Sequence, residues 1–450
     1  MTDSRRGLPS VGKLLESSEV HSLLDQFPRS VVVQSLRSIL DEARLSHREL
    51  SPQEIAAALK VKVDDSVRPA LQRVINATGI VLHTNLGRAP LADCAIAAIA
   101  ETSSGYTNLE YDLIAGARGS RYSHCVELLK ELTGAEDAIV VNNCAASLVL
   151  ALSSLSFGKD AIVSRGELVE IGGSFRIPDI MRASGARLVE VGTTNRTHVD
   201  DYIRAAGPDT GAFVKVHRSN FTVNGFVAEV GIDRLAPIAS ERGIPVIHDL
   251  GSGLLISLES LGLTGEPLAG EAVRTGATLV VMSGDKLLGG PQSGIIVGKA
   301  TAIAELKKNP LARALRVDKL TIAALAATLQ LYRDPARAIR EIPILSLLAH
   351  SVAQLAARAQ MISRTLTEMD ILHRVIASVG SIGAGAFPGA TLESRAIAMT
   401  VNAVALEQML RRGPVPVVAR IHDGELLIDM RSVLPAEDTI LADMIVRAAA

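Results

Sequence analysis

The sequence has no tryptophan, and its 450 residues include only seven phenylalanines, five tyrosines and three cysteines. Scarce aromatic side chains argue against an RNA-binding module that stacks bases on exposed rings. Cys94, Cys125 and Cys144 form no CxxC pair, which argues against a disulfide framework and a zinc knuckle. A sparse, odd set of cysteines is typical of the reducing cytoplasm. We therefore expect a cytoplasmic protein without a metal site.

The sequence also lacks an excess of one charge and a long apolar run. Its 46 Lys and Arg balance 48 Asp and Glu, so the formal net charge is -2 and offers no global attraction to nucleic acid or to an anionic membrane. The opening segment MTDSRRGLPS has no apolar run of the kind that signal peptides carry. The most apolar window, 138–157, contains two asparagines and four serines. It predicts a buried strand followed by a helix rather than a membrane span.

Residues 1–68 are predicted to form a separate helical domain. Apolar residues recur at three- and four-residue spacing in LPSVGKLLES, HSLLDQF and SVVVQSLRSILDEARL. The motif Ser51-Pro52-Gln53-Glu54 supplies an N-cap serine and a first-turn proline for a further helix. Taken alone, this pattern favours a docking or dimerisation element over an RNA-binding domain.

Seven short apolar runs then alternate with helical segments. This order predicts an α/β fold with a mainly parallel seven-stranded sheet covered by helices. The runs are 138–143, 161–165, 187–192, 212–217, 245–251, 278–284 and 294–298. Ligands in such folds bind at the carboxyl ends of the strands, and polar and glycine-rich residues gather at these ends in this sequence.

The last part of the chain predicts amphipathic helices followed by a smaller sheet. The helical pattern returns after Pro310, a strand is predicted at 396–401, and a hairpin over 416–433 turns at Asp423-Gly424. We expect a large domain over 69–320 and a small C-terminal α/β domain over 321–450.

Lys286 is the first candidate catalytic residue. It follows the strand TLVVMSG and precedes the turn Leu288-Gly289-Gly290-Pro291, so its amine can reach into a cleft as a nucleophile. An isolated lysine in this position is more often a surface residue. Two further features favour the catalytic interpretation.

The first feature is Asp249, which ends the apolar strand in IPVIHDLGSG. A buried carboxylate at this position needs a cationic partner. The protonated pyridine nitrogen of pyridoxal 5'-phosphate (PLP) would serve, because PLP acts as an electron sink when that nitrogen stays charged. The alternative is an aspartate that caps the next helix.

The second feature is the turn between the first strand and its helix. Small residues at a helix start expose free backbone N–H groups to an anion such as the cofactor phosphate, and the hydroxyls of Ser147 and Ser283 could assist. An ordinary βα turn is the alternative. The candidate phosphate-binding residues are Asn143, Cys144, Ala145, Ala146 and Ser147.

The chain order of these features is more specific than any one of them. A phosphate-binding turn, then an aspartate on a strand, then a lysine on a later strand is the arrangement of PLP enzymes with the aspartate aminotransferase fold (fold type I). Four segments closely resemble the bacterial selenocysteine synthases, the L-seryl-tRNA(Sec) selenium transferases, and LPSVGKLL resembles their N-terminal domain. The four segments are 76–91, 164–181, 216–221 and 283–298. The similarity covers nearly the whole chain.

This resemblance implies a reaction and a cofactor. Enzymes of that family convert seryl-tRNA(Sec) to selenocysteinyl-tRNA(Sec) with selenophosphate, through an aminoacrylyl-tRNA on PLP. Lys286 matches the lysine that holds PLP, and it is the expected general base. Asp285 would tune the lysine amine or assist the departure of hydroxide. The resemblance also implies that residues 1–68 bind tRNA and that the chain forms a homo-oligomer, a homodecamer built from dimers.

Three arginines match those that the family uses for selenophosphate: Arg88, Arg313 and Arg316. Guanidinium groups suit phosphate geometry through bidentate hydrogen bonds. Arg313 and Arg316 share one face if their segment is helical, although a solvated basic face is an equal alternative.

Four further residues belong to the resembling segments. His217 and Asn220 are expected to line the cofactor cleft, whereas Glu167 and Glu170 carry no role that the sequence supplies.

Two other functions remain open at this point. A small-molecule PLP lyase, acting by β-elimination or release of ammonia, would use the same site, but a free amino acid needs no N-terminal helical domain. A non-catalytic RNA-binding or assembly protein would not need the intact Lys286 and Asp249.

Overall fold

The computed structural model describes residues 8–47, 49–172 and 175–449. They belong to two compact units, an N-terminal unit (Met1–Arg73) and a main unit (Val74–Ala450). No helix in these described ranges is both long enough and apolar enough to cross a membrane.

The N-terminal unit is helical, as predicted. Its helices are α1 (Val11–Leu15), α2 (Ser18–Leu24), α3 (Arg29–Leu45) and α4 (Pro52–Val67). Helix α4 begins with a capping box, because Ser51 Oγ accepts from the Glu54 amide and the Glu54 carboxylate accepts from the Ser51 amide. The unit has its own apolar core, which includes Val32, Leu36, Ile55 and Leu59.

The main unit contains the remaining elements. Its helices are α5 (Asp93–Ser103), α6 (Ser123–Thr133), α7 (Cys144–Leu155), α8 (Ile177–Ala183), α9 (Val199–Ala205), α10 (Ile232–Glu241), α11 (Ala269–Arg274), α12 (Ala300–Lys308), α13 (Pro310–Ala314), α14 (Lys319–Leu331), α15 (Pro335–Glu341), α16 (Pro343–Ala349), α17 (Val352–Glu368), α18 (Ala403–Arg411) and α19 (Asp438–Ala449). Its strands are β1 (Ile75–Asn76), β2 (Tyr111–Asp112), β3 (Ala117–Arg118), β4 (Asp137–Val141), β5 (Asp160–Ser164), β6 (Glu170–Ile171), β7 (Phe175–Arg176), β8 (Arg187–Val191), β9 (Thr210–Val216), β10 (Val246–Gly251), β11 (Leu279–Ser283), β12 (Gly294–Gly298), β13 (Arg374–Ser381), β14 (Thr391–Met399), β15 (Val417–Val418), β16 (Arg420–His422) and β17 (Glu425–Asp429).

The predicted seven-stranded sheet is confirmed, and each of the seven apolar runs forms one of its strands. The strand order is β4-β12-β11-β10-β9-β5-β8. Strand β12 is antiparallel to both of its neighbours, and the other pairings are parallel. The carboxyl ends of β4, β11, β10, β9, β5 and β8 therefore meet at one edge of the sheet, where ligands bind in such folds.

Both faces of this sheet are covered. Side chains alternate between the faces along a strand, so Val216 and Ile247 pack in one apolar cluster whereas Phe213 and Leu250 pack in the other. This alternation decides which polar residues at the strand ends can meet.

The C-terminal sheet has the order β13-β14-β17-β16 and is antiparallel. The predicted hairpin is confirmed: His422 pairs with Glu425, and both turn residues, Asp423 and Gly424, have positive φ. Strand β13 was not predicted, because RVIASVGS mixes small and polar residues with its apolar ones and is largely half-exposed. Ile75, near the start of the main unit, packs in the core of this sheet.

Candidate active site

A cavity of about 430 Å³ lies at the carboxyl ends of β4, β10 and β11. Seven residues proposed from the sequence line it: Arg88, Asn143, Cys144, Ala145, Asp249, Ser283 and Lys286. These residues come from four distant parts of the chain. The parallel topology brings all of them except Arg88 together, because each of the others ends or follows a strand at the same edge of the sheet. Arg88 comes from the segment that precedes α5.

Asp249 is the buried acid of this cavity. It is 6% exposed, and Cys144 Sγ donates to its Oδ1 over 3.8 Å. Burial raises the pKa of Asp249 from 3.8 to about 6, while the nearby Lys286 opposes this rise. A carboxylate in this setting is stabilised by a cation held close to it.

Lys286 lies in the same cavity and is 6% exposed. Its Nζ makes no hydrogen bond or ion pair to the described part of the chain. Gly251 borders the amine, since a Cβ there would lie 3.7 Å from Lys286 Nζ, and its φ of +71° favours glycine at this position. The lysine is therefore buried and sterically free to form a bond to a ligand in the cavity.

The first turn of α7 provides free backbone N–H groups. The amides of Cys144 and Ala145, at the first two helical positions, have no intrahelical acceptor. Asn143 caps the helix by accepting from the Ala146 amide over 2.8 Å. The Cys144 and Ala145 amides are therefore free to bind an anion in the cavity, whereas the Ala146 amide already donates to Asn143.

The two serines expected at the phosphate are engaged elsewhere. Ser147 is fully buried, and its hydroxyl donates to the Cys144 carbonyl over 2.8 Å. Gly294 of β12 packs against it, because a Cβ there would lie 2.4 Å from Ser147 Oγ. The Ser283 hydroxyl lines the cavity but donates to Asp285.

Asp285 is held between two partners. Arg88 Nη1 donates to Asp285 Oδ2 over 2.7 Å, and Ser283 donates to the other carboxylate oxygen. Arg88 adopts a left-handed backbone conformation with φ +63°, which costs energy for a residue with a side chain. The strained backbone at Arg88 thus directs its guanidinium towards Asp285 and the cavity.

The structure places His217 and Asn220 outside the lining of this cavity. His217 follows β9 on the face of the sheet that carries His248, opposite Asp249, and it lines a second cavity. The Asn220 amide group donates to the Glu170 carbonyl over 2.7 Å. Glu170 itself is exposed and pairs with Arg176.

Arg313 and Arg316 do not share a helical face. Helix α13 ends at Ala314, and the Leu315 carbonyl accepts from the Asn142 amide. Arg316 then forms an isolated β-bridge with Val141, and its guanidinium lies 3.8 Å from Glu110. Neither arginine lines the cavity within its own chain.

Sequence reasoning missed other lining residues of the cavity: Leu148, Ile171, Gly172, Ile177, Ile180, Gly251 and Gln292. Gln292 follows the glycine-rich turn after Lys286, so proximity to that turn was the available signal. The other side chains come from α7, β6 and α8. Those of β6 and α8 lie in the resembling segment 164–181, but nothing in that segment showed that they face the cavity.

Glu167 acquires a structural role. Its carboxylate is buried, accepts from Lys215 Nζ over 2.6 Å and accepts from the Val216 amide over 2.9 Å. Burial raises the pKa of Glu167, and the Lys215 ammonium opposes this rise. The pair ties the segment that follows β5 to the end of β9, the strand that pairs with the one carrying Asp249.

We expect Glu167→Ala to destabilise the protein by about 3–5 kcal/mol, because it removes the buried partner of the Lys215 ammonium and leaves only the exposed Glu229, 3.8 Å away. Urea denaturation measures this loss. Glu305→Ala is the matched control, since Glu305 pairs with Lys308 at the surface and should change stability by less than about 1 kcal/mol. Equal losses in both variants would contradict a structural role for the buried pair.

Family models match almost the whole chain. The model of L-seryl-tRNA selenium transferase matches residues 74–434, and the model of the selenocysteine synthase N terminal matches residues 5–44. This chain belongs to the L-seryl-tRNA selenium transferase family. The resemblance seen in the sequence is therefore confirmed, and the selenium transferase model includes every cavity residue described above.

Individual family members are similar over their full length. The L-seryl-tRNA(Sec) selenium transferase of Geobacter sulfurreducens is 49% identical over 440 residues, which cover 95% of each chain. The enzyme of the same name from Moorella thermoacetica is 47% identical over 454 residues, which cover 98% of this chain and 96% of that one.

A solved structure shares the fold. The structure of D-glucosaminate-6-phosphate ammonia-lyase superposes with a TM-score of 0.60 at 22% identity, and covers 86% of this chain and 98% of that chain. At this identity the likeness shows the fold alone, and it supports the predicted fold class of the selenium transferase family.

Proposed function

We propose that this chain is a cytoplasmic L-seryl-tRNA(Sec) selenium transferase that converts seryl-tRNA(Sec) to selenocysteinyl-tRNA(Sec) with selenophosphate. The observation that carries the proposal is one cavity that joins a buried, unpaired lysine, a buried aspartate and free helix amides, in a chain of this family. The family match of the N-terminal segment favours this function over the small-molecule lyase, which needs no such segment.

The cavity residues fit PLP as the cofactor. Asp249 would hold the protonated pyridine nitrogen, the α7 amides of Cys144 and Ala145 would hold the phosphate, and Lys286 would bind the aldehyde carbon. The group supplies an electron sink for charge that develops at the seryl α-carbon.

The chain's own residues then move protons and hold anions. Lys286 removes the proton from the seryl α-carbon, since its amine lies in the cavity and has no competing partner. Lys286 then returns this proton to the seryl hydroxyl, which leaves as water. Asp285, next to it in sequence and held by Arg88 and Ser283, tunes the lysine amine for this step. Arg88 holds Asp285 in place and presents its remaining N–H groups to the selenophosphate anion.

Arg313 and Arg316 are proposed to contact selenophosphate in the assembled protein. They do not line the cavity of their own chain, so this role requires a homo-oligomer whose sites lie between subunits. We propose a homodecamer built from dimers. The exposed apolar side chains around the β2–β3 hairpin, Leu113 and Ile114, support an assembly, because monomers rarely expose such groups together.

The reaction itself is the direct test. We expect the purified full chain, given PLP and selenophosphate, to convert seryl-tRNA(Sec) to selenocysteinyl-tRNA(Sec), as measured by mass spectrometry of the released aminoacyl group. A chain that lacks residues 1–73 should lose most of this activity, because the N-terminal unit is proposed to bind the tRNA.

The control for this experiment is free L-serine. Turnover of free L-serine at a comparable rate, together with full activity of the shortened chain, would indicate the small-molecule lyase instead. Binding of the tRNA by the full chain should weaken steeply as salt rises, because phosphate contacts release counterions.

A further inference from the structure

Cys144 lies against the buried acid of the candidate active site. It occupies the first position of α7, is half-buried and lines the cavity. Its Sγ donates to Asp249 Oδ1 over 3.8 Å. The steps proposed above use the backbone amide of Cys144 but give its thiol no part.

The fold brings the start of α7 over the strand that carries Asp249. Side chains alternate along β10, so Ile247 and Asp249 point to the same face of the sheet. Leu148 of α7 packs in the same apolar cluster as Ile247, which places α7 on that face. Cys144 therefore meets Asp249 although β12 and β11 lie between β4 and β10.

A glycine of β12 allows α7 to approach the sheet this closely. A Cβ at Gly294 would lie 2.0 Å from the Asn143 carbonyl oxygen and 2.4 Å from Ser147 Oγ. Both distances are shorter than real Cβ contacts, so the first turn of α7 can lie at this depth only over glycine. The position of Cys144 is thus set by the backbone packing around it.

The thiol of Cys144 stays protonated and can therefore donate. Burial raises the pKa of Cys144 well above its usual range, the carboxylates of Asp249 and Asp285 raise it further, and Lys286 opposes the rise. A protonated thiol has one weak S–H donor, and the carboxylate of Asp249 accepts it.

The same bond acts on the carboxylate. Burial raises the pKa of Asp249 to about 6, and this rise is opposed by Lys286, the Gly251 amide, the Cys144 thiol and His217. A hydrogen bond to an ionised carboxylate stabilises that form. No side chain in the described part of the protein donates to Asp249 Oδ2, and Asp249 lines the cavity.

We propose that Cys144 is a positioning residue for Asp249: its thiol holds Oδ1, so that Oδ2 faces a ligand in the cavity. In the function proposed above that ligand group is the pyridine nitrogen of PLP, and this part of the inference rests on that function. The hydrogen bond itself does not depend on it. Cys144 then serves twice, with its amide at the phosphate and its thiol at the acid that holds the ring.

Two substitutions test the bond in the PLP-free protein by urea denaturation at pH 5 and pH 7.5. The contribution of Asp249 to stability is lost as pH rises through its folded pKa, because the folded chain holds the proton more tightly. Cys144→Ala removes the donor and should raise this pKa. The increase in the unfolding equilibrium constant between the two pH values should then be about threefold larger than in the unchanged chain.

Cys144→Asn should have the opposite effect. Its carboxamide is an N–H donor with a longer reach than the thiol, so it should lower the pKa of Asp249 and make the same increase smaller. A change in packing alone would alter stability equally at both pH values. In the Asp249→Asn background, Cys144→Ala should not change the pH dependence at all.

Titration with PLP, followed by the visible absorption, tests the role in cofactor binding. Cys144→Ala should weaken binding about three- to tenfold, and Cys144→Asn should restore it. Cys94→Ala is the matched control, because its thiol donates to the Ala327 carbonyl over 3.7 Å outside the cavity lining. Both its pH dependence and its affinity for PLP should equal those of the unchanged chain.

The outcomes separate the bond from its use. The same pH dependence in Cys144→Ala, Cys144→Asn and the unchanged chain would overturn the hydrogen bond, and if Cys144→Ala fails to fold, Cys144→Asn decides alone. A shifted pH dependence with unchanged affinity for PLP would overturn the role in cofactor binding. If the unchanged chain binds no PLP, the function proposed above fails, whereas the pH comparison still supports or overturns the bond.

Discussion

Lys286→Ala is expected to abolish the visible absorption that the protein acquires with PLP and to lower selenium transfer by about 10³-fold or more. The lysine supplies both the bond that holds the cofactor and the base that removes the α-proton. The amine makes no hydrogen bond or ion pair in the described structure, although Lys286 opposes the rise in the pKa of the buried Asp249. The melting temperature of the PLP-free protein should therefore change by only a few degrees.

The spectrum and the melting temperature separate catalysis from folding in this variant. Lys308→Ala is the matched control, because Lys308 is exposed and pairs only with Glu305, so absorption and activity should both persist. A Lys286→Ala protein that keeps the visible absorption and turns over seryl-tRNA(Sec) would exclude Lys286 as the cofactor lysine.

Asp249→Asn is expected to weaken the binding of PLP but to raise the free energy of unfolding of the PLP-free protein. Loss of the carboxylate removes the partner of the pyridine nitrogen and should weaken PLP binding about 30-fold or more. The PLP-free protein should become more stable, because burial raises the pKa of Asp249 from 3.8 to about 6. Ionising this carboxylate at neutral pH costs the folded state up to about 3 kcal/mol.

The pH dependence of stability follows from the direction of this shift. The folded protein holds the Asp249 proton more tightly than the unfolded chain does, so the contribution of this residue is fully present below pH 4 and is lost as pH rises through 6. The stability gained in Asp249→Asn should therefore be larger at pH 7.5 than at pH 5, by about 1 kcal/mol.

Urea denaturation of the PLP-free proteins at the two pH values measures this difference. Asp443→Asn, an exposed position on α19, should show no gain at either pH. A gain in Asp249→Asn that is the same at pH 5 and pH 7.5 would contradict the raised pKa.

Much of the fold could be predicted because its signals are local. Each strand of the large sheet is a short apolar run, and the hairpin at Asp423-Gly424 uses residues that accept positive φ. Strand β13 escaped prediction because its side chains are mostly half-exposed and small. Its pairing with β14 depends on a partner that local composition does not reveal.

In the candidate site, likewise, the sequence predicts some residues from local pattern, whereas other contacts depend on the tertiary structure. Lys286 and the α7 turn follow strands and Asp249 lies near the end of one, and the topology of a parallel sheet brings such positions to one edge. Arg88 and Asp285 are 197 residues apart, and their ion pair depends on the packing of two distant segments. The hydroxyl of Ser147 was assigned to a phosphate from its position at a helix start, but the neighbouring carbonyl of Cys144 takes its proton.

The sequence by itself determined the order of strands and helices, the family and the residues that can carry the chemistry, because these depend on local pattern and residue type. Only the tertiary structure decided which of those residues meet. It placed Asp249 and His217 on opposite faces of one sheet, engaged Ser147 and Ser283 with partners of their own, and paired Glu167 with Lys215. The physical reason is that hydrogen bonds and burial depend on neighbours in space, and most of these neighbours are distant in the chain.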